Sequence, residues 1–313
     1  MKRLILALVF TLLTAASAQA QFEWAYQSVD DILPQQDLDF DEDAIRPVPG
    51  ADLMLTQREI DGPHPPDWFP DDHHAPVPDI VAYGSGDDAL PCARCHGFSG
   101  SGHPESSHLS GLTANYIVRQ MADFKSGARK DPFWMNRIAP EVSDEDVLAA
   151  AEWYAGLEPL DWIDEVIESD TVPITYLGRG RMRFLHPDGG TEPIGNRILE
   201  IPQNRAMVES RHPYVGFTVY APAGSVARGE DLVVTGASGK TVACSICHGE
   251  GLTGLGDVPR LAGLSPLYVV RQLYEFQTED RTGSLGALMN ASVANLTEED
   301  IVDIAAYLAT LDP

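Results

Sequence analysis

Two short segments of the chain carry the same reactive groups at the same spacing, Cys92-Ala93-Arg94-Cys95-His96 and Cys244-Ser245-Ile246-Cys247-His248. Each sets two thiols three positions apart and an imidazole directly after the second thiol. That is the attachment signal of a c-type haem. On one tight turn the two thiols can add to the two vinyl groups of a porphyrin, and the histidine then reaches the iron from the same face. A thioredoxin-like redox pair and half of a zinc site share the Cys-x-x-Cys spacing, but neither requires a histidine at that place in both copies. The two motifs use all four cysteines of the 313-residue chain, so none remains for a disulfide framework.

Haem of this kind is attached outside the cytoplasm in bacteria, and the N-terminus fits export. Lys2 and Arg3 precede an apolar run from Leu4 to Leu13, followed by Ala18-Gln19-Ala20. This reads as a secretory signal peptide over residues 1–20, with the mature chain starting near Gln21 and residing in the periplasm. The apolar run is too short to span a bilayer, and no later segment approaches the needed length. The chain has 21 Lys and Arg against 47 Asp and Glu. Without Lys2 and Arg3 the balance is 19 against 47, a formal charge of −28. Such acidity disfavours nucleic acid and anionic membranes and favours redox partners with a basic docking face. The densest acidic run, Asp37 to Asp43, reads as solvated.

The elements that must position the motifs come as an internal repeat. At an offset of 152, Gly84 falls on Gly236, Cys92 on Cys244, His96 on His248, Tyr116 on Tyr268, Val118-Arg119-Gln120 on Val270-Arg271-Gln272, and Phe124 on Phe276. A two-residue insertion in the second copy then moves the offset to 154, and Met135-Asn136 falls on Met289-Asn290. Two copies of one domain result, over residues 70–160 and 222–313, joined by a connector over 161–221 and preceded by an arm over 21–69.

Within each copy the pattern is helical. Asp79 to Tyr83 and Asp231 to Thr235 read as a short helix before the motif. Thr113 to Lys125 and Ser265 to Gln277 carry apolar residues at three- and four-residue spacing. Ser143-Asp144-Glu145-Asp146 and Thr297-Glu298-Glu299-Asp300 announce a closing helix, a capping hydroxyl followed by first-turn carboxylates. The connector alternates enough over Thr175 to Leu185 and Arg197 to Ile201 for short strands, with a turn at His186-Pro187-Asp188-Gly189-Gly190, so it reads as a small β-rich insertion bracing the two domains. Recurrent prolines keep the arm extended, Trp24, Tyr26, Trp68 and Phe69 lay it on a surface, and His64, His73 and His74 read as ordinary exposed histidines.

Each half resembles a class I cytochrome c. The resemblance runs through Cys-x-x-Cys-His-Gly, Pro259-Arg260-Leu261-Ala262-Gly263, a helix with Tyr268, Arg271 and Gln272, a methionine loop, and a closing helix with Tyr307. Two such halves in one exported chain are similar to the periplasmic di-haem cytochromes c, over about two thirds of the mature chain. The implied fold is mainly α, two tandem class I cytochrome c domains joined by a small β-rich connector. The implied cofactors are two covalently bound haem c groups, on Cys92 and Cys95 and on Cys244 and Cys247. The implied axial ligands are His96 with Met135 and His248 with Met289, a pairing that raises the reduction potential.

The family also places the carbonyl of the residue at Pro259 on the proximal histidine ring, and Ser107 replaces that proline in the first copy. His103 and His108 lie nearby and stand as alternative ligands, and unequal haem potentials follow from the departure. Tyr116, Arg119, Tyr268 and Arg271 are candidates to face haem propionates, with surface pairing or helix packing as the other role open to them. The function implied is single-electron transfer between redox partners, as a shuttle or as the haem subunit of a dehydrogenase or oxidase. The alternative is a di-haem oxidoreductase, thiosulfate dehydrogenase- or peroxidase-like, with catalysis at the haem of the first domain. A methionine in each copy and the lack of a spare cysteine favour the carrier.

Overall fold

The computed structural model describes residues 22–26, 41–86, 88–104, 106–178 and 181–313. The signal segment and the start of the acidic run lie outside the described residues. The arm forms a hairpin of β1 (Ile45–Pro47) and β2 (Met54–Thr56) and one turn of helix, α1 (Gln57–Ile60). Thr56 caps α1 in a capping box with Glu59. Val48, Ile60 and Trp68 bury a small core of the arm's own, and Trp68 Nε1 donates to the carbonyl of Ser210 at 2.8 Å. His73 is not an exposed histidine: its ring meets Asp67 at 2.8 Å and packs edge-on against Trp153.

The first domain runs α2 (Asp79–Ala82), α3 (Ala93–His96), α4 (Ala114–Ser126), α5 (Met135–Ile138) and α6 (Asp144–Ala155). Thr113 and Ser143 cap α4 and α6 through their hydroxyls, and Gly127 ends α4 at φ 76°. Its core is compact, with Ile80, Ile117, Val147, Ala151, Trp153 and Tyr154 at the centre.

The connector is more elaborate than two strands and a turn. It contains β3 (Ile163–Glu168), β4 (Thr171–Pro173), β5 (Thr175–Leu177), β6 (Arg183–Leu185), β7 (Thr191–Pro193), β8 (Leu199–Pro202), α7 (Arg205–Glu209) and β9 (Phe217–Ala221). β5 and β6 form one antiparallel pair and β4 and β7 another, while β9 lies between β3, parallel to it, and β8, antiparallel. It is fused to the second domain: Phe184, Ile198, Phe217 and Val219 share one continuous core with Val270, Ile301 and Leu308. Phe22 and Ala25 of the arm, each 1% exposed, are buried in that same core.

The second domain runs α8 (Ser225–Thr235), α9 (Ser245–His248), α10 (Pro266–Gln277), α11 (Gly286–Val293) and α12 (Glu298–Leu308). α8 is longer than the five residues expected, because Pro76 and Pro78 cut its counterpart short in the first copy and the second copy has none there. α8 crosses α12 at Gly229, where a Cβ would stand 2.0 Å from the carbonyl oxygen of Asp303. Arg228 closes the crossing with two bonds to the buried Asp303 carboxylate, at 2.7 and 2.8 Å. With α8 on its outer side, α12 is buried nearly all round rather than along one stripe. Among the described residues no helix is long and apolar enough to cross a membrane.

Candidate functional site

Both motif turns are held in the same way. The amide of Cys92 donates to the carbonyl of Ile80, and that of Cys244 to Val233, which ties each turn to the helix before it. The chain must then reverse directly after the histidine, and Gly97 (φ 68°, ψ 164°) and Gly249 (φ 81°, ψ 168°) adopt a conformation that side chains disfavour. A Cβ on Gly249 would also sit 2.5 Å from the carbonyl oxygen of Gly254. Nδ1–H of His96 donates to the carbonyl of Ser107 at 2.9 Å, and Nδ1–H of His248 to that of Pro259 at 2.7 Å. The acceptor is main chain in both, so the exchange of proline for Ser107 leaves the contact in place. It fixes the tautomer and leaves Nε2 of each ring for a metal. Burial lowers the pKa of both rings, which keeps them neutral, as ligands must be.

The methionine loops are anchored by the asparagine that follows each methionine. Asn136 Nδ2 donates to the carbonyls of Phe124 and Arg129, both at 2.9 Å. Asn290 Nδ2 does the same to Phe276 and to Arg281. The Asp131 carboxylate accepts from the amides of Phe133, Trp134 and Met135, which builds the single turn that carries Met135. The insertion in the second copy lengthens that turn into α11, and Met289 lies on it.

Cys92, Cys95, His96 and Met135 line one cavity of about 160 Å³, and Cys244, Cys247, His248 and Met289 line a second of about 260 Å³. Burial pushes the Cys92 thiol up to about 12 and Cys244 up to about 11, so these are thiols held in apolar walls. Neither alternative ligand joins His96. His103 lines a different cavity, and His108 lines the second, where Ser265 N–H and the Arg260 guanidinium meet its two ring nitrogens at 3.4 and 3.5 Å.

The two cavities abut, and each is walled partly by the other domain. Leu112, Tyr116, Gln120, Arg129, Tyr268 and Gln272 line both. Of the other residues singled out in the sequence, Arg271 reaches the first cavity and Arg119 the second. Arg271 Nε donates to the carbonyl of Ala25 at 2.5 Å, and Arg119 is turned to Asp257, NH2 donating to its carbonyl at 2.9 Å.

Arg129 and Arg281 are the charged residues that the sequence reading passed over. Both are 7% exposed and neither ion-pairs with a carboxylate among the described residues. Arg129 Nε is buried without an acceptor. The signal was available, since Arg129 falls on Arg281 at the offset of 152.

These features fit haem c. Each cavity has two thiols, an imidazole with a fixed tautomer and a thioether. The guanidiniums buried where the cavities meet, one with an orphaned Nε–H, suit the propionate carboxylates of the porphyrin. Among the described residues no cluster of three or more His, Cys, Asp or Glu is placed to hold another metal ion.

Comparison with known proteins agrees. The cytochrome c family profile matches residues 226–312. Cytochrome c-554(548) of Halomonas halodenitrificans is 36% identical over 89 residues, 28% of this chain and 98% of that protein. The thiosulfate dehydrogenase electron acceptor of Stutzerimonas stutzeri (strain A1501) is 26% identical over 227 residues, 71% of this chain and 80% of that protein. Cytochrome c4 of Stutzerimonas stutzeri is 26% identical over 225 residues, 70% of this chain and 84% of that protein. The chain therefore belongs to the cytochrome c family, as a di-haem c-type cytochrome with two covalently bound haem c groups.

Proposed function

We propose that Cys92 and Cys95 hold one haem, with His96 and Met135 as its axial ligands, and that Cys244 and Cys247 hold the other, with His248 and Met289. The protein is an electron carrier, and each group when bound supplies reversible one-electron exchange of its iron. The observation that carries this reading is the wall shared by the two cavities, which brings the two redox sites to within one layer of side chains. The chain's own residues do the rest. Ser107 and Pro259 hold the imidazoles through their carbonyls, Asn136 and Asn290 hold the methionine loops, and Arg129 and Arg281 place positive charge between the sites. With a thioether as well as an imidazole in each cavity to hold the iron, no position would remain open for substrate, which favours a carrier over a haem enzyme.

The first cavity has one strongly exposed large apolar residue in its lining, Trp134 at 45%, and the second has more. Val242, Leu285 and Leu288 line the second cavity and are 49%, 47% and 67% exposed, and Ile246 in the motif is 69% exposed. In the first domain Arg94 takes the place of Ile246 and is half-buried, bonded to the carbonyl of Gly62 in the arm. A protein partner therefore docks at the mouth of the second cavity, and the formal charge of −26 favours a basic partner. A relative named as a thiosulfate dehydrogenase electron acceptor supports the role of acceptor for a periplasmic dehydrogenase. The test is a spectroelectrochemical titration that follows the near-infrared methionine–iron band, with carbon monoxide added to the reduced protein. Two low-spin haems, both with the band and neither binding the gas, are expected. A high-spin fraction, or gas binding at one haem, would overturn the carrier reading and make that haem an active-site candidate.

A further inference from the structure

Phe133 stands two residues before Met135 in the turn that lines the first cavity, and two cations lie over its ring. The guanidinium carbon of Arg181 is 3.8 Å from the ring centroid, and that of Arg271 is 5.1 Å from it. A cation within about 6 Å of a ring centroid is drawn to the ring face, more strongly where water is excluded. Arg271 is 5% exposed, and Phe133 is half-buried.

Neither cation belongs to the first domain. Arg181 lies in the connector just before β6, where its amide donates to the carbonyl of Gly178 at 3.1 Å. Arg271 is on α10 of the second domain. Its Nε donates to the carbonyl of Ala25, its own carbonyl accepts from the Tyr26 hydroxyl at 3.3 Å, and its guanidinium is 5.6 Å from the centre of the Tyr26 ring. Connector, second domain and arm thus converge on one side chain of the first methionine loop.

The second copy has no such contact to make. Arg119 is the counterpart of Arg271 and is turned to Asp257 instead. At the offset of 152 Phe133 falls on Leu285, and residues 282–293, which carry Met289, include no aromatic side chain. No ring in that segment can take a cation, so the clamp is confined to the first methionine.

We propose, on the ligand assignment given above, that Arg181 and Arg271 are positioning residues for the first haem: they hold the Phe133 ring and through it keep Met135 in place as axial ligand. An external ligand must displace Met135 against this clamp, whereas Met289 gives way without one.

The test is a titration of the ferric holoprotein with imidazole, read on the near-infrared methionine–iron bands. An iron–nitrogen bond forms as the iron–sulfur bond breaks, and Met289→Ala removes one band and so assigns the steps. The parent should lose the Met289 band first and the Met135 band at higher imidazole. Phe133→Leu should bring the Met135 step about ten-fold lower, the weight of a desolvated cation–ring contact, and leave the Met289 step where it was. Arg181→Gln, which keeps the ring, should lower the same step about three-fold, and Phe133→Tyr should stay within about two-fold of the parent. Coincident steps in the parent, a Met135 step unmoved in both Phe133→Leu and Arg181→Gln, or both steps moved equally would overturn the clamp. A shift in Phe133→Leu alone would overturn the part given to the cations. A parent with no methionine band at the first haem would overturn the ligand assignment instead, and shows before any variant is made.

Discussion

Arg129 and Arg281 face each other as an antiparallel backbone bridge, and their guanidiniums share the same two amide oxygens. Arg129 donates to Gln120 at 2.8 Å and to Gln272 at 2.7 Å, and Arg281 donates to both at 2.8 Å. Each also reaches the tyrosine of the other domain at 3.3 Å, Arg129 to Tyr268 and Arg281 to Tyr116. The pair is the point about which the two halves are related. Two like charges persist there because each has neutral acceptors, and the carboxylates of a bound haem would add to these.

A positive charge beside a ferric–ferrous couple favours the reduced state, so Arg129→Gln should lower both potentials, since Arg129 lines both cavities. Arg281 lines only the second, and Arg281→Gln should move chiefly one potential. At an effective dielectric near 20, a unit charge about 10 Å away is worth on the order of 1.5 kcal/mol, or about 60 mV for one electron. A redox titration reads the shifts, and Arg129→Lys should restore most of them. Potentials unmoved in Arg129→Gln would mean that the guanidinium does not face the haems.

Ser107 tests whether the proximal contact is made by the main chain. Its carbonyl, not its hydroxyl, accepts from His96. Ser107→Ala should leave both potentials and both methionine bands as they are. A measurable shift in either would show that the side chain takes part.

What the sequence disclosed was what local spacing can encode. The motif cysteines and histidines, the capping hydroxyls Ser143 and Thr297, and the methionines lie within short segments that repeat, so each copy checks the other. The crossed walls are different in kind, because nothing local says that Tyr268 approaches the cavity of His96. Helix α8 was underestimated since its counterpart is cut by Pro76 and Pro78. The connector was underestimated since its central pairing joins Ile163 to Phe217, some fifty residues apart, and merges with the second domain's core.

Glu275 lines the first cavity at 7% exposure, and its pKa is raised to about 7. Burial is the main cause and outweighs Arg129 and Arg281, which pull the other way. Between the unfolded value near 4.5 and about 7, the folded chain holds a proton that the unfolded chain releases. This contribution to stability is therefore complete below about pH 4.5 and is lost as pH rises through about 7. Denaturant unfolding of the holoprotein at several pH values should show it, and Glu275→Gln should flatten the slope in that window. An unchanged slope in the variant would assign the dependence to other groups.

Gly229 sets the distance between α8 and α12. Alanine gains up to about 1 kcal/mol over glycine in a helix interior, so propensity alone predicts that Gly229→Ala stabilises. The added Cβ, however, would lie 2.0 Å from the Asp303 carbonyl oxygen and 2.9 Å from Tyr307 Cβ. The nearer obstacle is backbone inside a buried helix and cannot swing aside. Forcing the helices apart also strains the Arg228 bonds to Asp303, a carboxylate only 2% exposed. Overpacking of this kind costs about 1–3 kcal/mol or more, and with the half-exposed Arg228 drawn off the buried Asp303 carboxylate it outweighs the propensity gain. Gly229→Ala should therefore lose about 2 kcal/mol in denaturant unfolding, with its absorption spectrum intact, because the crossing lies away from both methionine loops. A variant as stable as the parent would mean that α8 moves off Asp303 freely, and that the crossing does not fix the second domain.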